Sequence, residues 1–166
     1  MNGNLRFGIG YDVHCLMAGR KLVLGGIQVP FERGLSGWSD ADVLTHAVTD
    51  ALLGAAAFGD IGHHFPPGDS QYEGISSLKL LRRVRDLLAE HGWSIGNVDV
   101  TVIAEQPRLV EHIGRMRDSL CRTLGMDVCR VSVKATTSEG LGFTGEGRGI
   151  AAWAVATLEP VEPEEE

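Results

Sequence analysis

The run from Ile150 to Leu158 constrains this chain more than any other. Read in alternation, Ile150, Ala152, Ala154, Ala156 and Leu158 form one apolar set, and Ala151, Trp153 and Val155 form most of a second. Alternate residues of a strand point to opposite faces, so a run apolar on both sets reads as a strand covered on both sides. One layer of helices against one solvent face does not provide that cover. The chain must place this strand inside a sheet and find something further for its second face.

The rest of the sequence supplies the helices and the partner strands. Leu5, Phe7, Ile9 and Tyr11 alternate with Arg6, Gly8, Gly10 and Asp12, which predicts a half-buried first strand. Residues 21–29 read as a short hairpin around Gly25 and Gly26. A helix is expected from Ser39 to about Ala57, with Ser39 and Asp42 as a capping-box-like start. A second helix follows Ser76 or Ser77, with Leu80, Leu81, Val84, Leu87 and Leu88 on its apolar face and Gly92 at its end. Val98, Val100 and Val102 predict another strand. Pro107 suits the first turn of a third helix, which buries Leu109, Ile113, Met116, Leu120 and Leu124. Residues 128–137 and 150–158 are the last two strands, joined by a glycine-rich stretch. The order gives a single α/β (α+β) domain over residues 1–158, with helices packed on one sheet. Residues 159–166 read as an acidic, proline-broken tail with too little apolar surface to order itself.

Two features carry chemistry. On the helix from Ser39, the residues Asp42, His46 and Asp50 recur every four positions, so they share one stripe. At the end of the first strand, Asp12 and His14 lie two apart and point to the same face. With 22 acidic residues and six histidines, about one acid-x-His match is expected by chance, so Asp12 and His14 alone carry little. Joined with His46 they make a complete three-donor set for zinc, with a fourth position open to water or substrate. Asp50 or Asp42 is then expected to orient the ligands. His63 and His64 sit in a long irregular stretch, residues 60–75, and read as exposed.

Composition narrows the partners. The 166 residues carry a formal net charge of −7 and no cluster of Lys and Arg, which argues against nucleic acid. The three cysteines form no C-x-x-C pair and suit a reducing cytoplasm. No apolar run approaches the roughly 18 residues that span a bilayer, and the N-terminus lacks the apolar core of a signal peptide, so no membrane is expected.

The runs GYDVH (10–14), SDADV (39–43), TDALLG (49–54), GDIG (59–62), NVDV (97–100), KATT (134–137) and LGFTG (141–145) occur in this order. Together they closely resemble the 2-C-methyl-D-erythritol 2,4-cyclodiphosphate synthase family of the non-mevalonate isoprenoid pathway, from about Leu5 to Leu158. The resemblance implies a ferredoxin-like sheet with helices on one face and a homotrimer whose active sites lie between subunits. Symmetry mates would then cover the second face of residues 150–158. It implies that Asp12, His14 and His46 hold Zn²⁺, and that Glu139 holds Mg²⁺ or Mn²⁺. It places Trp38 and Thr137 at the catalytic positions, and it puts Asp12, Val13, His14, Trp38 and Ser39 on the substrate, the last two at its 2-phosphate. Asp60, Ile61 and Gly62, with Phe65, Pro66, Pro67, Gly68 and Asp69, would meet the ribose and the methylerythritol. Ala104, Glu105, Gln106, Pro107, Arg108, Leu109 and Val110 would form a cytosine pocket. Ala135, Thr136 and Thr137, with Ser138, Glu139 and Phe143, would hold the diphosphate side.

Several residues depart from the family pattern. Trp38 stands where His is common, Pro67 where Asp is often found, and Glu105 and Arg108 where Gln and Lys are frequent; Glu146 and Arg148 invert an Arg and Glu seen in some members. The implied reaction is attack of the substrate's 2-phosphate on its own β-phosphorus with loss of CMP. It needs no general base, and Lys134 and two divalent ions would offset the anionic substrate. Two rivals stand beside it: a zinc-dependent hydrolase on the same ligands with a nearby base, and a non-catalytic trimeric nucleotide-binding module. A base deaminase is excluded by the absence of H-x-E and P-C-x-x-C.

Overall fold

The computed structural model describes residues 5–161. In chain order the elements are β1 (Arg6–Ala18), β2 (Leu22–Leu24), β3 (Ile27–Val29), β4 (Arg33–Leu35), α1 (Val43–Ala56), α2 (Ile61–His64), a 3-10 turn at Ser70–Tyr72, α3 (Ser77–Glu90), β5 (Trp93–Ile103), α4 (Ile113–Leu124), a 3-10 turn at Val128–Arg130, β6 (Val131–Thr136), α5 (Gly142–Gly145) and β7 (Gly149–Pro160). The main sheet has the order β4-β1-β7-β5-β6, and β2 and β3 form a separate hairpin. The apolar run at 150–158 is thus the central strand, antiparallel to β1 and β5, while β5 and β6 pair in parallel around α4.

The even and odd residues of β1 have opposite fates. A Cβ at Gly8 would lie 1.9 Å from the Ala51 carbonyl oxygen, and one at Gly10 1.9 Å from that of Ala47. Only glycine lets β1 and α1 come this close. On the same face Ile150, Ala152, Ala154, Ala156 and Leu158 of β7 are buried, and Leu44, Leu52 and Leu53 of α1 are fully buried, worth about 2 kcal/mol each against exposure. The expectation for Leu5, Phe7, Ile9 and Tyr11 is reversed: Phe7 is 67% and Ile9 65% exposed, because glycines and not the large side chains take the helix-facing set. Trp153 and Val155 of β7 share that open face, and the Trp153 ring stacks beside Tyr11 at 4.6 Å between centroids. Around Trp153 and Val155 the central strand is therefore covered on one side only.

Several boundaries differ from those read in the sequence. Helix α1 begins at Val43, with Asp42 as its N-cap accepting from the Thr45 amide, so no capping box starts at Ser39. Asp42 is fully buried and also accepts from the amides of Gly25 and Gly26 at 2.9 and 2.6 Å, which ties the β2–β3 turn to the helix. Helix α4 begins at Ile113; the amides of His112 and Ile113 turn back on the Leu109 carbonyl, and residues 104–110 stay open as the wall of a cavity. Residues 128–130 form a 3-10 turn before β6. Strand β7 runs through Glu159 and Pro160, held where Ser94 Oγ donates to the Glu159 carbonyl; residues 162–166 of the expected tail lie outside the described residues.

Candidate metal centre and active site

Close packing of β1 on α1 brings the end of the glycine-bearing face to the first turn of the helix. Asp12 and His14 lie on that face, and His46 projects from the helix to meet them. Asp12 Oδ2 is 2.9 Å from His14 Nε2 and 3.0 Å from His46 Nδ1, and the two nitrogens are 3.2 Å apart. Three donors around one tetrahedral ion with bonds near 2.0–2.2 Å would sit roughly 3.3 Å apart. The cluster fits a metal ion at one point, and it is the one group of this kind among the described residues. Burial alone would push the Asp12 carboxyl up, but hydrogen bonds from His14 and His46 outweigh it and bring the pKa down to about 2. For His14, burial disfavours the charged ring, while Asp12 and the Ser36 carbonyl together raise its pKa above the usual value.

The orienting groups are not those expected. The Asp42 carboxylate caps the helix, and that of Asp50 accepts from the Ile61 amide at 2.7 Å, so neither carboxylate is hydrogen-bonded to an imidazole of the cluster. Burial pushes both carboxyls up in pKa. His14 Nδ1 instead faces the Ser36 carbonyl at 2.6 Å. His46 Nε2 faces Ser77 Oγ at 2.8 Å and Ser39 Oγ at 3.2 Å. Ser77 carried no sequence signal beyond a possible helix start, and only its approach across the fold makes it a neighbour of the cluster.

A cavity of about 240 Å³ opens on the three donors, walled by Trp38, Ser39, Ile61, Gly62, Phe65, Pro67, Tyr72 and Leu80. Trp38 Nε1 donates to the Asp69 carbonyl at 3.0 Å, and Phe65 stacks edge-on against Tyr72 at 5.5 Å, so the irregular stretch is pinned beside the three-residue cluster. Tyr72 and Leu80 are walls the sequence reading missed. Asp60 is the N-cap of α2 and accepts from the His63 amide; Asp60, Pro66, Gly68 and Asp69 do not line this cavity. His63 is exposed, and His64 is half-buried with Nε2 at 2.8 Å from the Phe58 carbonyl; neither joins the donor cluster. The Val13 side chain lies on the opposite, open face of β1, 41% exposed.

A second cavity, about 370 Å³, is walled by Ala104, Glu105, Pro107, Arg108, Leu109, Val110, Ile113, Ala135, Thr136 and Thr137. Gln106 borders an adjoining depression with Arg33 and Glu146. Glu105 accepts from the amides of Ser138 and Gly140 at 2.8 and 3.3 Å, and so braces the following loop. Glu139 is exposed, has φ of 53°, and accepts from the Thr137 hydroxyl at 3.0 Å; it does not join the three-donor cluster. Phe143 is 38% exposed on α5 and lines neither cavity. Lys134 is paired with Asp99 at 2.6 Å, and Arg148 with Glu146 at 2.7 Å. The two cavities share no lining residue.

Comparison with known proteins agrees with this architecture. The YgbB family model matches residues 5–159. A Dehalococcoides mccartyi (strain CBDB1) protein named 2-C-methyl-D-erythritol 2,4-cyclodiphosphate synthase is 61% identical over 155 residues, covering 93% of this chain and 99% of the relative. Among solved structures, the bifunctional IspDF of Campylobacter jejuni superimposes with a TM-score of 0.93 at 38% identity, covering 97% of this chain, which spans 44% of that longer one. The Plasmodium falciparum IspF in complex with CDP has a TM-score of 0.84 at 33% identity and covers 98% of this chain and 99% of its own. A family model that spans nearly the whole chain, relatives of high identity and a shared fold lead to one conclusion: this chain belongs to the YgbB family, among the proteins named 2-C-methyl-D-erythritol 2,4-cyclodiphosphate synthase.

Proposed function

We propose that this chain converts 4-diphosphocytidyl-2-C-methyl-D-erythritol 2-phosphate to 2-C-methyl-D-erythritol 2,4-cyclodiphosphate and CMP, as a phosphorus–oxygen lyase of cytoplasmic isoprenoid synthesis. The observation that carries this reading is the three-donor cluster at the mouth of a cavity, in a chain whose relatives carry that name. A 2-phosphate oxygen attacks the β-phosphorus of the same molecule, a new P–O–P bridge forms, and the bond to the CMP oxygen breaks with its electron pair leaving on CMP. Asp12, His14 and His46 would hold zinc and Glu139 a magnesium or manganese ion, and these would supply polarisation of the β-phosphate and offset charge on the departing CMP. Ser39, 8% exposed beside His46, offers its hydroxyl at the zinc side of the substrate. Trp38 contributes by pinning the Asp69 carbonyl, and so the 65–72 stretch, over the cavity. The nucleophile is already ionised, so holding the substrate folded back is the principal task of the protein groups. Incubation with the cytidine substrate, analysed for CMP and cyclic diphosphate, tests this directly; recovery of unchanged substrate or of a linear hydrolysis product overturns it.

The chain is proposed to work as a homotrimer. Phe7, Ile9, Tyr11, Val13, Trp153 and Val155 form one contiguous apolar sheet face, and exposed patches of this kind mark association surfaces. The separate walls of the two cavities support an active site completed across subunits, with the metal half from one chain and the 104–110 half from a neighbour. Sedimentation equilibrium at micromolar concentration is expected to give three times the 17.8 kDa of one chain. A stable monomer under those conditions excludes the shared site.

The 104–110 cavity is proposed to read cytosine. Its walls combine Leu109, Val110 and Ala104 with the backbone groups of an irregular segment, a setting for a small planar base recognised by amides and carbonyls. CDP is expected to raise the melting temperature more than ADP at equal concentration, because it binds the native state more tightly. Equal shifts assign the stabilisation to phosphate alone. Glu139→Gln is expected to leave zinc content intact while lowering turnover and weakening the magnesium dependence. Wild-type turnover with an unchanged magnesium titration removes Glu139 from the metal reading.

No helix among the described residues is long and apolar enough to cross a membrane, and Cys15, Cys121 and Cys129 are free thiols.

A further inference from the structure

We propose that Ser77 and Asp40 form a relay that positions His46 for the metal, a carboxylate acting on the ligand through a hydroxyl. The inference rests on the zinc reading of the Asp12, His14 and His46 cluster. His46 Nδ1 faces Asp12 Oδ2 at 3.0 Å and His14 Nε2 at 3.2 Å, so it is the nitrogen that must present a lone pair to an ion. The ring proton then belongs on Nε2, and Ser77 Oγ stands 2.8 Å away as its acceptor. A serine hydroxyl that accepts from His46 has its own proton free, and that proton points to Asp40 Oδ1, with which Ser77 Oγ makes a short hydrogen bond. The second Asp40 oxygen accepts from the Ser77 amide at 3.0 Å, which fixes the serine's backbone as well. One direction of donation satisfies every group in the chain from His46 to Ser77 to Asp40. The opposite tautomer leaves a proton aimed at the metal position.

Burial gives the relay weight. Ser77 is completely buried and His46 is 9% exposed, so water does not compete for the hydroxyl. The two histidines are also held differently: His14 by the neutral carbonyl of Ser36, His46 by a hydroxyl backed by a carboxylate. Ser39 Oγ lies farther from the same nitrogen, at 3.2 Å, and accepts from the Ala41 amide, so it is the weaker partner. Ser77 opens α3, and Asp40 sits in the loop before α1, with its amide donating to the Ile75 carbonyl. The relay therefore ties a ligand on one helix to the first turn of another, a connection absent from any local stretch of sequence.

Partners of this kind change metal affinity by about 10- to 100-fold when removed. Ser77→Ala and Asp40→Asn each leave the ligands in place, and the zinc Kd of the full chain is to be measured by chelator competition well below the melting temperature. Both variants are expected to bind zinc at least about tenfold more weakly than the wild type. The visible bands of the cobalt-substituted protein are expected to shift, since they report the ligand field at the ion and not the stability of α3. A purely structural role for the two residues lowers the melting temperature and leaves the Kd and the cobalt spectrum unchanged; that result overturns the relay. An unchanged Kd in Asp40→Asn alone also overturns it, and reduces Ser77 to a lone hydroxyl contact. A wild-type chain that takes up neither zinc nor cobalt overturns the metal reading itself.

Discussion

His46→Ala is expected to lose most bound metal and to lower turnover on the order of 10³-fold, the scale of losing a preorganised charge-stabilising group. Removing one of three protein donors leaves Asp12 and His14, both on β1, with nothing to close the cluster from α1. The fold should survive. Leu44, Leu52 and Leu53 anchor α1, and Asp42 still caps it, none of which depends on the imidazole. Asp12→Asn should behave alike, because a neutral amide gives up the charge that holds both histidines. Metal analysis of the purified, folded variants checks the assignment, and full occupancy in His46→Ala removes that residue from the site.

The second large effect is on stability. Gly10→Ala places a methyl group 1.9 Å from the Ala47 carbonyl oxygen and 2.8 Å from the Ala51 amide nitrogen, both backbone atoms of α1 that cannot turn aside. Either β1 and α1 separate or the variant does not fold, at an expected loss of about 3 kcal/mol or more. Because Asp12 and His14 follow on the same face, metal affinity should fall with it. Gly54→Ala is the control: it lies exposed in α1 with its nearest neighbour 3.8 Å away, and alanine favours a helix by up to about 1 kcal/mol over glycine. Urea unfolding of the two variants separates the cases. A Gly10→Ala midpoint equal to wild type contradicts the close approach of strand and helix.

The sequence by itself determined the long strands and helices and the three residues of the donor cluster. Alternation placed β1, β5 and β7, and periodicity placed α1 and α3, because strand and helix geometry impose repeats of two and 3.6 on any half-buried segment. Asp12, His14 and His46 were legible because donor chemistry is a property of residue type. Which face of β1 meets the helix was not legible: hydropathy favours Phe7 and Ile9, and the structure chooses Gly8 and Gly10, since what matters is how closely two backbones approach. Asp42 and Asp50 read as ligand partners from helical spacing alone, yet their oxygens are taken by amides of Gly25, Gly26, Thr45 and Ile61, drawn from distant loops as well as the next turn. The walls at Tyr72 and Leu80 and the neighbours Ser77 and Asp40 belong to the same class. Their roles depend on distances between segments far apart in the chain, and a distance of that kind is set only when the tertiary structure closes.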